Sequence, residues 1–495
     1  VDPQLQTTLG VTVILYTLLM LAISWWSRGK VTTTEDFLVA GRRLPLMLAF
    51  PTLLATWFGA GVLLTATDEV RVGGLRMAGL EPIGAGLCLV LAGWWMAAPL
   101  YRMKLLTLGD FFRQRFGPSA ERWSAVLMVP SYFGWIAAQY MALASMLEIL
   151  FGMSLPLALV LVAIVGILYT LFGGMWSVTL TDAAQIALVV IGVLVMAVEI
   201  FMALGEGSVA QGLRTLWASM PADKRVIIPR ESAQELVGWL GVVCVGALGN
   251  LPSQDLAQRI FASRSLRTAK WACYLAGITY LTFGAVPLAI GLAADQLIPG
   301  APAQSTLTTL AHYFLSPPLA ILFTLVVMSA VLATIDSSIL SPACVLAQNL
   351  LWPVWQARFE RRGISLLLLN RLCVIAIGLA SLLTAFAGES AYSLLEDGYA
   401  AGLVTLLVPM LVGLYSTHGD ERAALACMLS SSVVWLAHLA TDAEHFMGSW
   451  WPQGWFALPV ALTCAALGGL AYGVTMLLVR SSSTVDPGAG QGSSS

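Results

Sequence analysis

Ala55-Thr56-Trp57-Phe58-Gly59-Ala60-Gly61 and Gly246-Ala247-Leu248-Gly249-Asn250-Leu251-Pro252 each interrupt an apolar stretch long enough to cross a bilayer. Backbone that unwinds at membrane depth bares amide and carbonyl groups. Each costs several kcal/mol until protein, water or an ion satisfies it. Two broken helices in corresponding positions of two half-domains point to the central binding site of a transporter. The chain therefore reads as a carrier of a small solute.

Composition sets the frame for that reading. Of 495 residues, 58% are hydrophobic and 11% charged, and the mean hydropathy is +0.83. Soluble domains carry about 25% charged residues, so an all-α polytopic membrane protein is expected, with the lipid bilayer as its solvent. A net charge of −2 argues against a nucleic-acid partner. Seven cysteines lie in apolar segments without a CxxC or Cys/His spacing and read as small buried hydrophobes. The four histidines are scattered. No structural metal and no cofactor is expected. No basic n-region or cleavage motif precedes the first apolar run, which is expected to be a true span. The Ser/Gly-rich tail 481–495 is expected to be disordered.

Stretches of the ~20 residues needed for a span fall at 8–27, 46–67, 77–100, 123–150, 155–173, 179–204, 236–260, 271–294, 318–350, 364–387, 392–416, 423–441 and 455–479, thirteen in all. The odd count places the two ends on opposite sides. With the N-terminus outside and the C-terminus in the cytoplasm, nineteen of the 25 lysines and arginines, Arg259 among them, fall on the inner side. That is the distribution the positive-inside rule requires. Trp25, Trp26, Trp94, Trp95, Trp450, Trp451 and Trp455 stand near span ends and read as an interfacial belt.

Two acidic residues do not belong in lipid. Asp182 opens the sixth span and Asp336 lies mid-way along the ninth. A carboxylate at that depth costs about 2.5–3.5 kcal/mol on the mildest scale and calls for a cation, a proton or a partner. Ala330, Ala333, Thr334 and Ser337 share one face of the ninth span. That narrow, hydroxyl-bearing stripe reads two ways: as a packing seam, or as oxygen ligands for a hard cation. Glu81, Glu148 and Glu199 read as residues at span ends. Glu396 and Asp397 read as a helix start or as the lining of an outer vestibule.

Tyr169-Thr-Leu-Phe-Gly-Gly, Thr181-Asp-Ala-Ala-Gln185, Ala333-Thr-Ile-Asp-Ser-Ser-Ile-Leu-Ser341 and Gly249-Asn-Leu-Pro-Ser-Gln-Asp255 followed by Gln258-Arg259 resemble the sodium:solute symporter family over about residues 5–480. The last two segments are most similar to the branch of the high-affinity choline transporters and their bacterial relatives. The resemblance implies a LeuT-type core of thirteen transmembrane helices. A leading helix (1–30) precedes a five-plus-five inverted repeat (42–204 and 236–416), and two trailing helices follow (423–480). It implies sodium-driven uptake by alternating access. It assigns one sodium site to Ala55, Phe58, Ala330, Ala333 and Thr334, and a second cation or proton site to Asp182, Asp336 and Ser337.

The solute is expected beside Trp57, Gly59, Gly61, Gln139, Tyr140, Ser253 and Gln254. Trp57 offers a cation–π face, and the helix N-termini at the breaks suit a carboxylate. A zwitterion, a carboxylate or a choline-like cation all satisfy these features. Two departures from the family pattern stand out. Ala333 occupies a position where relatives place a second hydroxyl, and Ser253 stands where the choline-type pattern has Trp. Proton coupling and a non-transporting solute sensor remain alternative readings. A channel fits less well because it would not need two opposed broken helices with a solute pocket, and a membrane-embedded enzyme because Asp182 and Asp336 have no His or metal partner.

Overall fold

The computed structural model describes residues 3–301, 305–314, 316–387, 391–441, 445–448 and 457–484. Trp450, Trp451 and Trp455 of the expected belt, and 485–495 of the expected disordered tail, lie outside the described residues. Every regular element among the described residues is helical. They are α1 (Pro3–Ser27), α2 (Leu46–Trp57), α3 (Gly61–Gly73), α4 (Leu75–Met103), α5 (Pro118–Phe151), α6 (Leu155–Leu204), α7 (Ala233–Gly249), α8 (Gln254–Ala262), α9 (Leu266–Leu297), α10 (Pro317–Val345), α11 (Leu366–Phe386), α12 (Ser393–Thr405), α13 (Leu407–Tyr415), α14 (Glu421–Leu439) and α15 (Val460–Thr484). Short helices between them are named only where used.

Among the described residues nine helices are long and apolar enough to cross a membrane, or up to twelve when each bent pair is one span. The expected thirteenth depends on α6. Its 50 residues would run about 75 Å, more than twice the ~30 Å apolar thickness of a bilayer. The chain leaves helical geometry once inside it, at Gly174 (φ 50°, ψ −140°), where the boundary between the fifth and sixth spans is expected. A Cβ at Gly174 would meet Phe37 O at 2.5 Å, so this reversal needs glycine for both its dihedrals and its clearance.

Both expected breaks are present. α2 and α3 meet at 52° and α7 and α8 at 41°. In the first, Phe58 (φ −81°, ψ 60°) ends the helix. In the second, Asn250 and Leu251 form a turn, and Pro252, which has no N–H to give, leads into Ser253 at the head of α8. A third bent pair, α12 and α13 at 44°, was not foreseen. Pro409 explains it, because its ring lacks a donor and crowds the carbonyl four residues back, which is Thr405 at the end of α12.

The core forms where the broken spans meet α10. α10 packs along α6 and α5 and against α2, and α12 lies along α5 and α7. The crossing of α7 and α12 is tight enough to exclude side chains. A Cβ at Gly402 would stand 2.2 Å from Gly249 O, and one at Gly249 would stand 2.2 Å from Tyr399 O. Gly402→Ala should therefore destabilise the protein by about 1–3 kcal/mol, the usual range for overpacking. Gly473→Ala, with nothing within 4 Å of its Cβ, should not. Melting midpoints of the two variants in detergent check this.

Candidate functional site

The first break is built around unmade helical hydrogen bonds. Gly59 N–H, which in a continuing helix would reach Ala55 O, instead donates to Trp57 O (2.9 Å). Ala60 N–H donates to the Gln139 side-chain oxygen at 2.8 Å. The Ala55 carbonyl so released accepts from Thr334 Oγ1 at 3.3 Å, and the same hydroxyl reaches Ala330 O at 3.1 Å. A Cβ on Gly59 would stand 2.3 Å from Thr334 Oγ1 and 2.7 Å from Gln139 Oε1. Ala55, Gly59, Gln139, Ala330 and Thr334 are thus brought together in a buried spot lined by oxygen. Ala333 is buried on the same helix, and its side chain has no polar atom to contribute, which leaves only its carbonyl. The Phe58 ring turns away onto Tyr280 and Phe283 (5.7 and 5.3 Å between centroids).

One helical turn further along α10, Ser337 joins three elements, α10, α2 and α8. Its hydroxyl accepts from Thr56 Oγ1 (3.0 Å) and Arg259 Nη2 (2.6 Å) and donates to Asp336 Oδ1 (3.3 Å). Thr56 Oγ1 has one proton and also reaches Thr52 O at 2.7 Å, and when it donates there one lone pair of Ser337 is left for a further ligand. Thr181 Oγ1 lies 3.5 Å from Asp336 Oδ2, and Thr52 Oγ1 donates to Asp182 Oδ2 at 2.5 Å. Asp182 Oδ1 and Arg259 Nε have no protein partner although both residues are buried. Buried polar atoms left in this way mark a place where an ion or water belongs.

Arg259 corrects the sequence reading. It was counted among inner loop cations, yet it is 1% exposed and sits inside α8, with Nη1 on Asp255 O at 3.2 Å. A signal was available, since Leu256, Ala257, Ile260 and Phe261 surround it in sequence. Glu81 is likewise no span-end residue. It is 3% exposed and accepts from the phenols of Tyr280 (2.5 Å) and Tyr399 (2.9 Å).

The second break opens on a small cavity of about 20 Å³ lined among others by Tyr132, Trp135, Asn250, Ser253, Asp255 and Tyr399. Its rings form a chain, Tyr132 to Trp135 at 5.8 Å and Trp135 to Tyr399 at 6.4 Å between centroids. Of the residues expected around a solute, only Ser253 lines it. Trp57 stands behind the wall, its indole N–H given to Asp255 Oδ2 (3.1 Å). Gln254 accepts from Leu108 N–H (2.6 Å), at the head of the short helix Leu108–Arg115. Tyr140 points to Gly378 O (3.5 Å), and Gly61 lies against Glu81, whose Oε1 would be 3.5 Å from a Cβ there. Sequence reasoning missed Tyr132, Trp135, Asp255 and Tyr399. Tyr132 and Trp135 were within reach, because they precede Gln139 by seven and four residues and so share its helical face. Asp255 was too, as an acid just inside a broken span.

The profile of the sodium:solute symporter family matches residues 37–430. The chain belongs to this family. The human high affinity choline transporter 1 is 27% identical over 411 residues, covering 78% of this chain and 68% of that protein. The Drosophila melanogaster protein of the same name is 26% identical over 464 residues, 88% and 71% of the two chains. The uncharacterized symporter YidK of Escherichia coli K12 is 24% identical over 351 residues, 68% of this chain and 61% of that one. Among solved structures, the substrate-bound outward-open state of a Na+-coupled sialic acid symporter superposes with a TM-score of 0.76 at 17% identity, covering 98% and 99% of the chains. A nucleobase-cation-symport-1 family transporter in a closed conformation gives 0.58 at 16% identity, covering 92% and 96%. These likenesses establish the LeuT-type fold that the family resemblance implied.

In this symporter Ser337 is the polar hub of the buried cluster, so its removal has a calculable cost. Ser337→Ala leaves Arg259 Nη2 without its acceptor, whereas Thr56 Oγ1 keeps Thr52 O at 2.7 Å. A buried group so orphaned costs about 1–3 kcal/mol, more when charged. The variant should melt lower than Ser338→Ala, whose hydroxyl bonds only to Ile335 O of its own helix. Thermal unfolding of both in detergent checks the difference.

Proposed function

We propose that sodium is bound where the first broken span meets α10, by the carbonyls of Ala55, Phe58, Ala330 and Ala333 and the hydroxyl of Thr334. Membership in the sodium:solute symporter family makes the chain a sodium-coupled secondary transporter of a small solute, working by alternating access in the membrane. The observation that carries the site assignment is the 3.3 Å contact of Thr334 Oγ1 with Ala55 O, a carbonyl whose own helical donor has turned elsewhere. A hard cation prefers such oxygens. In binding there it ties α2 to α10 and favours the states in which the two are joined. A ligand shifts a conformational equilibrium only by its difference in affinity for the two states.

A second monovalent cation is assigned to Asp182, Asp336 and Ser337. Two carboxylates and the Arg259 guanidinium leave one negative charge in this cluster, which suits a single sodium ion. Proton coupling through Asp336 is the competing reading, and flux distinguishes the two. The solute is assigned to the cavity at the second break. Its three ring faces and the likeness to proteins named choline transporters favour a cationic or zwitterionic head group. With Arg259 moved to the interior, eighteen of the 25 basic residues still fall on one side. We therefore keep the N-terminus outside and the C-terminus in the cytoplasm.

In proteoliposomes, uptake is expected to follow an imposed sodium gradient and not a pH gradient alone. Thr334→Ala and Asp336→Asn should each reduce sodium-driven uptake by about tenfold or more, as the loss of ~1.4 kcal/mol of binding would. Full uptake in both variants would remove the ion-site assignment. Uptake under a pH gradient without sodium would replace sodium by protons.

A further inference from the structure

We infer that the solute is a small protonated primary or secondary amine held through its N–H groups by the Asp255 carboxylate, rather than a quaternary ammonium held by ring faces alone. This rests on the assignment of the second-break cavity as the solute site. Asp255 is fully buried and lines that cavity. Its Oδ1 accepts from Tyr132 (2.6 Å) and its Oδ2 from Trp57 (3.1 Å). An ionised carboxylate has about four acceptor positions, so about half remain for a ligand. Among the described residues no Lys, Arg or His nitrogen lies within 4.0 Å of it. Arg259, one turn along the same helix, gives its Nη atoms to Asp255 O and Ser337 Oγ instead. A buried carboxylate without a counter-charge is costly, and the cavity beside it is where one fits.

The walls narrow the chemistry. The polar tips of the surrounding rings are already committed, Tyr132 to Asp255 and Tyr399 to Glu81. What these tyrosines and Trp135 offer the cavity is their faces, which attract a cation without selecting among ammonium types. Asp255 is the selective element, because a quaternary nitrogen has no proton to give it. Asn250 Nδ2 and Ser253 Oγ, each in a residue more than nine-tenths buried, have no protein partner. Asn250 Nδ2 is a donor and requires an acceptor on the ligand, such as a hydroxyl, carbonyl or carboxylate oxygen close to the amine.

The full chain, purified and reconstituted, is titrated in sodium with ethanolamine, N-methylethanolamine, N,N-dimethylethanolamine and choline, following thermal stabilisation and competition for uptake. Affinity is expected to fall along the series. The largest step, about tenfold or more, should come at choline, where the last N–H is lost and a buried acceptor is left unmet. Asp255→Asn should weaken ethanolamine by about tenfold or more and level the series, and Asp255→Glu should restore the order. Stabilisation by sodium alone should survive in Asp255→Asn and be reduced in Thr334→Ala. Choline bound as tightly as ethanolamine overturns the inference. So does an unchanged ranking in Asp255→Asn, a sodium response lost in that variant, or a protein that responds to sodium and to none of the four amines. If Asp255→Asn fails to fold, the ranking on the unaltered protein decides. Absence of any response to sodium in the unaltered chain would instead defeat the ion-site assignment on which this rests.

Discussion

A helix broken in the middle of a bilayer has to find partners for peptide groups that its own next turn would have served. At the first break of this symporter Gln139 takes the Ala60 N–H, and Thr334 meets the Ala55 carbonyl. Both partners come from neighbouring spans. The satisfaction of the break therefore depends on how α2 stands relative to α5 and α10. Rocking one set of helices against the other would separate these pairs, and in lipid no water waits to replace them. A transported ion can replace them. This is the physical reason that a defect in one helix couples ion occupancy to helix arrangement.

The second break serves the same constraint with different residues. There the chain turns through Asn250 and Pro252, and α7 passes α12 at glycine distance. Tyr132 Oη lies within hydrogen-bonding reach of both the Gln254 and Asp255 amides (2.8 and 3.2 Å) and donates to the Asp255 carboxylate. One phenol thus serves the free N–H groups at the head of α8. The helix N-terminus expected to attract an anionic group of the solute is already occupied by Tyr132 and by the carboxylate of its own first turn. What faces the cavity is negative, and the choice among solutes moves from carboxylates toward cations.

The breaks and the buried acidic residues Asp182 and Asp336 were legible in the sequence, because each is a local violation of what lipid tolerates. Phe58-Gly59 and Asn250-Leu251-Pro252 announce themselves without any knowledge of neighbours. The bend at Leu406 was readable from Pro409 and was overlooked. Contacts that depend on distant spans were not readable. Nothing local says that Glu81 will meet Tyr280 and Tyr399, which lie 199 and 318 residues away. Nor does anything local say that the indole of Trp57 will face Asp255 rather than a solute. Arg259 was misplaced for a related reason. The positive-inside rule counts a basic residue near a span end as a loop residue, and it cannot see that a serine on α10 and a main-chain carbonyl hold the guanidinium inside.

The buried charges themselves connect the sites. Around the two breaks Glu81, Asp182, Asp255 and Asp336 are buried, and among the described residues Arg259 is the buried cation set against them. The phenols and hydroxyls that surround these carboxylates distribute their charge without cancelling it. Wherever these carboxylates are ionised, such an interior repels anions and calls for cations. On the proposed reading, sodium at Thr334, a cation at Asp182 and Asp336, and an ammonium at Asp255 each meet part of that need, at points joined by one helix pair, α8 and α10, through Arg259 and Ser337. Filling one point lowers the field at the others and so weakens the pull on a further cation. Joint occupancy must then be favoured by closure of the helices around the ligands rather than by attraction between them. Coupling of ion and solute would therefore reside in the helix packing at the breaks, with the carboxylates setting which ions and solutes are admitted.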